Sequence, residues 1–280
     1  MRGLGVTRIN LHGRAALREH LPLLVAHRGA VSPGIPENTV VALRAAAAEG
    51  YALVEIDVEV TADGVPVLFH PDRAGTMWVS CGVERSIRHL TLPELSAVQY
   101  RASDHGIPTL DEALAVCAHE GLGVVLDLKV NPAPPAYLEK IARLLDWYGL
   151  AHSTLLLSED PAAEAVLAHR VVPIVSRALF ERVVAGEAVS LRGQFRPAFA
   201  DRLRADEVAA LQRNGALVLA TVAPRLYPPH AHRALAHSDI SRLRDTGVDA
   251  FLIDHEYRDL FLERGPNPDL HTNADSDHRP

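Results

Sequence analysis

Four short stretches of the sequence set together side chains that handle protons, phosphate or metal ions. LLVAH (23–27) is followed by Arg28, so an imidazole and a guanidinium stand side by side where an apolar run ends. Residues 54–60 read VEIDVEV; side chains alternate across a strand, so Glu55, Asp57 and Glu59 share one face. VPVLFH ends on His70, and GVVLDLK ends with Asp127 and Lys129 two apart, again on one face. Carboxylates near the end of an interior strand are costly unless something positive sits beside them. A divalent cation with hard oxygen ligands, Mg2+ or Ca2+, meets that need. The other reading of the acidic strand is an edge strand with one solvated face, and the other reading of Asp127 and Lys129 is a buried ion pair. In the metal reading, Asp127 is a third metal carboxylate and Lys129 a phosphate contact.

The spacing brings the second histidine to the acids. TADG (61–64) links the acidic strand to VPVLFH in four residues, where a parallel crossover needs a dozen or more. Asp63-Gly64 is a tight-turn signal, and a hairpin centred there lays His70 opposite Glu55 or Ile56. Either histidine alone is accounted for as a structural residue at a strand end; both at one mouth form a pair. Two acid/base groups, two cations and three carboxylates suit hydrolysis or transfer at a phosphodiester. Metal and cations hold the anion, one imidazole takes a proton from the nucleophile, and the other gives one to the leaving oxygen.

The elements that must position these residues alternate along the chain. Strand candidates are LLVAH, ALVEIDVEV, VPVLFH, GVVLDLK, STLLLS, VVPIVS, ALVLATV and AFLID, with FRPAFA (195–200) as a ninth short one. Between them lie helical stretches such as NTVVALRAAAAEG, TLDEALAVCAHEG, PAYLEKIARLLDWYG and DRLRADEVAALQRNG, many closing on glycine as helix ends do. Continuous apolar strands suit a parallel sheet buried on both faces. Alternation over this length favours a single (β/α)8 TIM barrel over a doubly wound sheet. The barrel is expected over 1–265, with a small insertion after the third strand at about 71–108, where TLPEL forms a short helix capped by Thr91. PNPDLHTNADSDHRP, from 266 to 280, is expected to be a disordered tail. Active sites of this fold gather at the C-terminal ends of the strands, where His27, Arg28, Glu55, Asp57, His70, Asp127 and Lys129 would converge.

Composition narrows the field. A net charge of -7 and a pI near 6.1 carry no basic footprint for nucleic acid. Two cysteines, Cys81 and Cys117, are too few for a disulfide framework, and no apolar run is long enough to span a membrane. The N-terminus lacks the pattern of a secretory signal, so a soluble cytoplasmic protein is expected. Nothing indicates the oligomeric state.

His27-Arg28, Glu37-Asn38, Glu55-Ile56-Asp57 and His70, followed by TADGVPVLFH, LTLPEL, IPTLDEAL, LDLK and TGVDAFLID, resemble the ordered motifs of the glycerophosphodiester phosphodiesterases over roughly 23–257. The resemblance implies a TIM barrel that hydrolyses small-molecule glycerophosphodiesters to glycerol 3-phosphate and an alcohol with Mg2+ or Ca2+. It makes His27 and His70 the acid/base pair, Glu55, Asp57 and Asp127 the metal ligands, and Arg28 and Lys129 the phosphate contacts. Glu37 either adds a metal or substrate contact or, with Asn38 and Thr39, caps the first helix. Three positions depart from the family: Asp127 replaces a glutamate, His70-Pro71-Asp72 replaces a His-Asp pair, and Ala220-Thr221-Val222-Ala223 replaces a Trp-Thr-Val-Asn stretch. These departures imply a leaving-group preference other than the commonest. Two alternatives stand beside this reading: phospholipase D-like cleavage of lysophospholipids or sphingolipids, and a catalytically silent barrel that binds phosphodiesters.

Overall fold

In the computed structural model of the chain, which describes residues 9–262 apart from 18 and 102, nine strands form one sheet. Eight are parallel and follow one another as β1 (Leu23–His27), β2 (Leu53–Val60), β4 (Gly123–Leu128), β5 (Thr154–Leu157), β6 (Val172–Pro173), β7 (Phe195–Phe199), β8 (Leu217–Val222) and β9 (Ala250–Ile253). β9 pairs with β1, and a parallel bridge from Ile174 to Phe195 joins β6 to β7, so the ring meets itself as a TIM barrel. The remaining strand, β3 (Pro66–Leu68), runs antiparallel to β2 outside the ring.

Alternation along each strand sorts two cores. Val25, Leu53, Val125, Leu155, Val172, Phe195, Leu219 and Leu252 fill the barrel interior. Val54, Ile56, Val58, Val124, Leu126, Val218 and Phe251 face outward against the helices. Each such aliphatic or aromatic side chain contributes roughly 1.5–3 kcal/mol by leaving water. Because Val54, Ile56 and Val58 are committed to the helices, the acidic residues of β2 are turned inward. The helices include α1 (Val40–Ala48), α2 (Trp78–Cys81), α3 (Leu92–Leu95), α4 (Leu110–Glu120), α5 (Pro135–Trp147), α6 (Pro161–Leu167), α7 (Arg177–Val184), α8 (Ala205–Arg213) and α9 (His232–Thr246). All but α2 and α3 are crossovers of the barrel.

Eight barrel strands are present, but their membership differs from the sequence reading. VPVLFH is not a barrel strand: its four-residue link allows only the antiparallel hairpin. FRPAFA supplies the missing barrel strand, β7, disguised by Arg196 and Pro197 inside an apolar run. The helix before it, α7 (RALFERVV), makes the crossover from β6 to β7. The insertion after β3 holds α2 and α3 and packs its own satellite core of Met77, Ile87, Leu90, Leu95 and Tyr100 on Val67 and Phe69. α3 opens at Thr91 as expected, with Glu94 accepting the Thr91 N–H at 2.7 Å. Among the described residues no helix is long and apolar enough to cross a membrane. The tail expected at 266–280 lies outside the described residues.

Candidate active site

β1 ends on His27, and the chain leaves it through Arg28 and Gly29, both at positive φ (59° and 88°). Gly29 is required there: a Cβ would lie 2.7 Å from Ala42 Cβ and 2.8 Å from the Ala42 carbonyl carbon, so only glycine lets the loop rest on α1. Arg28 is held in its unusual conformation from three sides. Its N–H donates to Glu55 Oε2 at 3.1 Å, its Nη1 donates to Glu37 Oε2 at 2.8 Å, and its Nε lies 3.0 Å from Asp57 Oδ2. These carboxylates outweigh burial and raise the guanidinium pKa.

The Glu37-Asn38-Thr39 segment divides three tasks. Glu37 holds Arg28, and Thr39 caps α1 by accepting the Ala42 N–H at 3.3 Å. Asn38 does neither. It is fully buried at φ 54°, donates from Nδ2 to Asp57 Oδ2 at 2.8 Å, and accepts the Asp57 N–H at 3.1 Å. Its own N–H donates to the Arg28 carbonyl at 3.0 Å, so the loop is tied to β2 at Asp57.

Register brings the carboxylates together. His27 pairs with Glu55 across β1 and β2, and Asp57 pairs with Asp127 across β2 and β4. One oxygen each of Glu55, Asp57 and Asp127 lie within 4.8 Å of one another. Asp127, one methylene shorter than the glutamate of the resemblance, still reaches the cluster. Lys129 Nζ bridges it, 2.8 Å from Asp57 Oδ1 and 2.6 Å from Asp127 Oδ2. Glu59 shares the face but not the cluster. It accepts from Arg88 Nε and Nη2, both at 3.0 Å, and anchors the insertion.

The charge balance is uneven. Burial, then repulsion from Asp57 and Asp127, pushes Glu55 well above the usual carboxylate range despite Arg28 and Lys129. Asp127 is raised chiefly by burial, which Lys129 only partly offsets. Burial opposes ionisation of Asp57 too, but Lys129 and Arg28 outweigh it and hold that carboxyl low. Glu55 therefore remains a buried carboxyl whose charge its protein neighbours do not neutralise. Three hard oxygen donors with that deficit of positive charge fit a divalent cation of the Mg2+ or Ca2+ type.

The two histidines approach from opposite sides in the chain. His27 Nδ1 meets Asp254 Oδ1, just past β9; a carboxylate only accepts, so Nδ1 carries the proton. His27 Nε2 is then left facing Glu55 Oε2 at 3.8 Å. His70 arrives through the hairpin: the pairing Val58↔Leu68, extended by two residues, sets it opposite Ile56, as the spacing predicted. Burial lowers its pKa, more than Asp57 raises it. Asp72 gives it no support, since that carboxylate accepts from the Thr76 hydroxyl (2.7 Å) and from the Ala74 and Thr76 N–H groups (both 2.9 Å). Among the described residues His70 has no hydrogen-bond partner.

A cavity of about 580 Å3 opens beside the cluster at the C-terminal mouth, with Val125, Leu219 and Leu252 as its floor. His27, Glu55 and Asp127 form one side; Phe180, Arg196, Phe199, Arg202, Thr221 and Arg225 form the other. In the stretch 220–223 Ala220 and Ala223 are buried, and Phe199, the register partner of Thr221, supplies an aromatic wall from the neighbouring strand. The sequence reading missed Asp254 and this arginine-bearing wall. An aspartate closing the apolar run AFLID was a usable signal for the first, whereas the second is assembled from α7, β7 and the segments after β7 and β8.

Residues 27–147 match the model of the glycerophosphoryl diester phosphodiesterase family, a segment that contains all eight site residues named from the sequence. Glycerophosphodiester phosphodiesterase 1 of Bos taurus is 41% identical over 110 residues, 38% of this chain and 33% of that protein. The matched part thus spans about a third of that relative's length. Among solved structures, a phosphodiesterase from Oleispira antarctica in complex with the product sn-glycerol-3-phosphate superposes with a TM-score of 0.68 at 24% identity, over 88% of this chain and 99% of that one. A glycerophosphodiester phosphodiesterase from Agrobacterium tumefaciens superposes with a TM-score of 0.64 at 21% identity, over 86% and 99%. At such identities these likenesses concern the fold. The chain is thus similar to the glycerophosphoryl diester phosphodiesterase family over the segment that carries His27, Arg28, Glu37, Glu55, Asp57, His70, Asp127 and Lys129.

Proposed function

We propose that the chain is a metal-dependent phosphoric diester hydrolase that cleaves glycerophosphodiesters to glycerol 3-phosphate and an alcohol by two-histidine acid/base catalysis. The observation that carries this reading is the cluster of Glu55, Asp57 and Asp127 bridged by Arg28 and Lys129, with His70 close enough to act electrostatically on Asp57, beside a cavity lined by His27, Glu55 and Asp127. The family match and the product bound by the Oleispira antarctica protein support it. Glu55, Asp57 and Asp127 would hold Mg2+ or Ca2+, which when bound supplies positive charge to the phosphate oxygens. Arg28 and Lys129 hold the remaining phosphate charge, and Glu37 keeps the Arg28 guanidinium aimed at the mouth. His70, kept neutral by burial, takes the nucleophile's proton. His27, whose ring the Asp254 carboxylate orients through Nδ1, gives a proton to the leaving alcohol oxygen as its bond to phosphorus breaks. Two free thiols, Cys81 and Cys117, go with a reducing, cytoplasmic setting.

The test is release of glycerol 3-phosphate from a panel of glycerophosphodiesters with Mg2+, Ca2+ or chelator. Activity should require metal, and His27→Ala and His70→Ala should each lose at least about two orders of magnitude. Full activity of either variant refutes the two-histidine mechanism. The apolar part of the cavity wall, Leu157, Phe180, Phe199 and Leu203, favours a second reading, cleavage of lysophospholipids. Faster turnover of a lysolipid than of any water-soluble diester would select it.

A further inference from the structure

The far wall of the cavity is positively charged, and the proposed reaction does not use it. Arg196 sits on β7 with its guanidinium 4.3 Å from the Phe180 ring centre; its one hydrogen bond, to the Val175 carbonyl, is long at 3.4 Å. It is half-buried and has no carboxylate within ion-pair distance among the described residues; burial lowers its pKa more than the more distant Glu159 and Glu207 raise it. Arg225 follows β8 and Arg202 follows β7, their guanidinium carbons 5.5 Å and 5.8 Å from the Phe199 ring centre. Arg225 has no carboxylate partner among the described residues, and Arg202 has only its neighbour Asp201 at 3.7 Å. The one carboxylate on this wall, Glu207, is engaged at the start of α8 by the Arg204 N–H at 3.2 Å.

The half-buried Arg196 guanidinium, with no carboxylate in contact, costs free energy that a bound anion recovers; Arg202 and Arg225 are exposed at the rim, and guanidinium matches phosphate bidentately. The aromatic rings here are poorly placed to box a quaternary ammonium, because arginines already lie over Phe180 and Phe199. A choline group entering this space would instead meet three positive charges. Since one cavity joins this wall to His27, Glu55 and Asp127, whatever occupies it is part of the diester under attack. We propose that Arg196 and Arg225, assisted by Arg202, are specificity-determining residues that select glycerophosphodiesters whose alcohol carries a further phosphate monoester.

This inference rests on the proposed hydrolysis, and its test keeps the two apart. kcat/KM is measured for three diesters with the metal supplied: glycerophosphoglycerol phosphate, glycerophosphoglycerol and glycerophosphocholine. The phosphate-bearing diester should lead the neutral one by at least about tenfold, with the choline diester last. Arg196→Gln and Arg225→Gln should each cut the phosphate-to-neutral ratio by about tenfold through KM, while Arg225→Lys keeps most of it. A choline diester as good as the phosphate-bearing one, or a ratio unmoved in both Gln variants, overturns the inference. Calorimetric binding of the same diesters to His70→Ala protein reads the subsite without turnover. If none of the three is hydrolysed the proposed function fails. Tighter binding of the phosphate-bearing diester, lost on adding Arg196→Gln, still upholds the subsite, and equal binding constants refute it.

Discussion

Replacing Asn38 by alanine should destabilise the protein far more than loss of an ordinary helix-entry residue would. The side chain is fully buried and joins Asp57 twice, by a 2.8 Å bond to a carboxylate oxygen and by a 3.1 Å bond from the Asp57 N–H. The charge-assisted bond contributes about 1.5–3 kcal/mol, and a buried N–H left without an acceptor costs about 1–3 kcal/mol. Alanine must also hold φ 54°, a left-handed conformation that costs a residue with a Cβ about 1–2 kcal/mol. The sum is centred at about 6 kcal/mol, which at about 2–4 °C per kcal/mol lowers Tm by about 12–24 °C. Asn38→Gly removes the same two bonds but not the backbone freedom, so it should recover roughly 1 kcal/mol of the loss. Scanning calorimetry of the three proteins in chelator measures these differences without metal. A fall in Tm under about 3 °C for Asn38→Ala would refute the account, because that is the cost of a neutral loop position.

Three further outcomes follow from the same geometry. Asp254→Asn should keep the fold but lower kcat by roughly 10^3 to 10^4, since the amide no longer fixes the Nδ1–H tautomer of His27; a loss under tenfold by steady-state assay would contradict that role. Glu55 has its folded pKa raised, so its contribution to stability is full below the ordinary carboxylate range and is lost as pH rises through the raised value. The Tm of metal-free Glu55→Gln minus that of the parent should therefore grow between about pH 5 and pH 8, and Mg2+ or Ca2+ should raise Tm for the parent alone; a difference that shrinks with pH counts against it. Gly29→Ala should cost more than about 2 kcal/mol, because its Cβ meets Ala42 at 2.7 Å with φ at 88°; an unchanged denaturation midpoint would show that the loop can move off α1.

The site was more legible than the barrel around it, for a physical reason. Period-2 alternation commits Val54, Ile56 and Val58 to one side, and that alone turns Glu55 and Asp57 inward. A four-residue link forces a hairpin, and that alone sets His70 across from Ile56. Both inferences run through a few covalently near residues. β7 was less visible because its partners, β6 and β8, are what make FRPAF a strand, and no local pattern carries that information. The role of Asn38 was hidden for a similar reason: its partner lies 19 residues on, on β2, and of the segment offered as a possible cap it is Thr39 that caps.

The arrangement of cations explains how three inward carboxylates can be tolerated before any metal arrives. Lys129 lies between Asp57 and Asp127, and Arg28 reaches Asp57 and Glu37, so in the metal-free chain the proposed phosphate contacts serve as counter-charges. Glu55 is left out of that sharing, with a single backbone N–H from Arg28 and an imidazole nitrogen at 3.8 Å. A divalent cation at the cluster would satisfy Glu55 and also weaken the hold of Asp57 and Asp127 on Lys129, since they would then answer a larger charge. Metal binding and phosphate binding are then coupled through one ammonium group, and by reciprocity each must strengthen the other. In Lys129→Met protein the metal would still bind, but inorganic phosphate would no longer tighten it; titrating Mg2+ or Ca2+ calorimetrically with and without phosphate distinguishes this coupling from two independent sites.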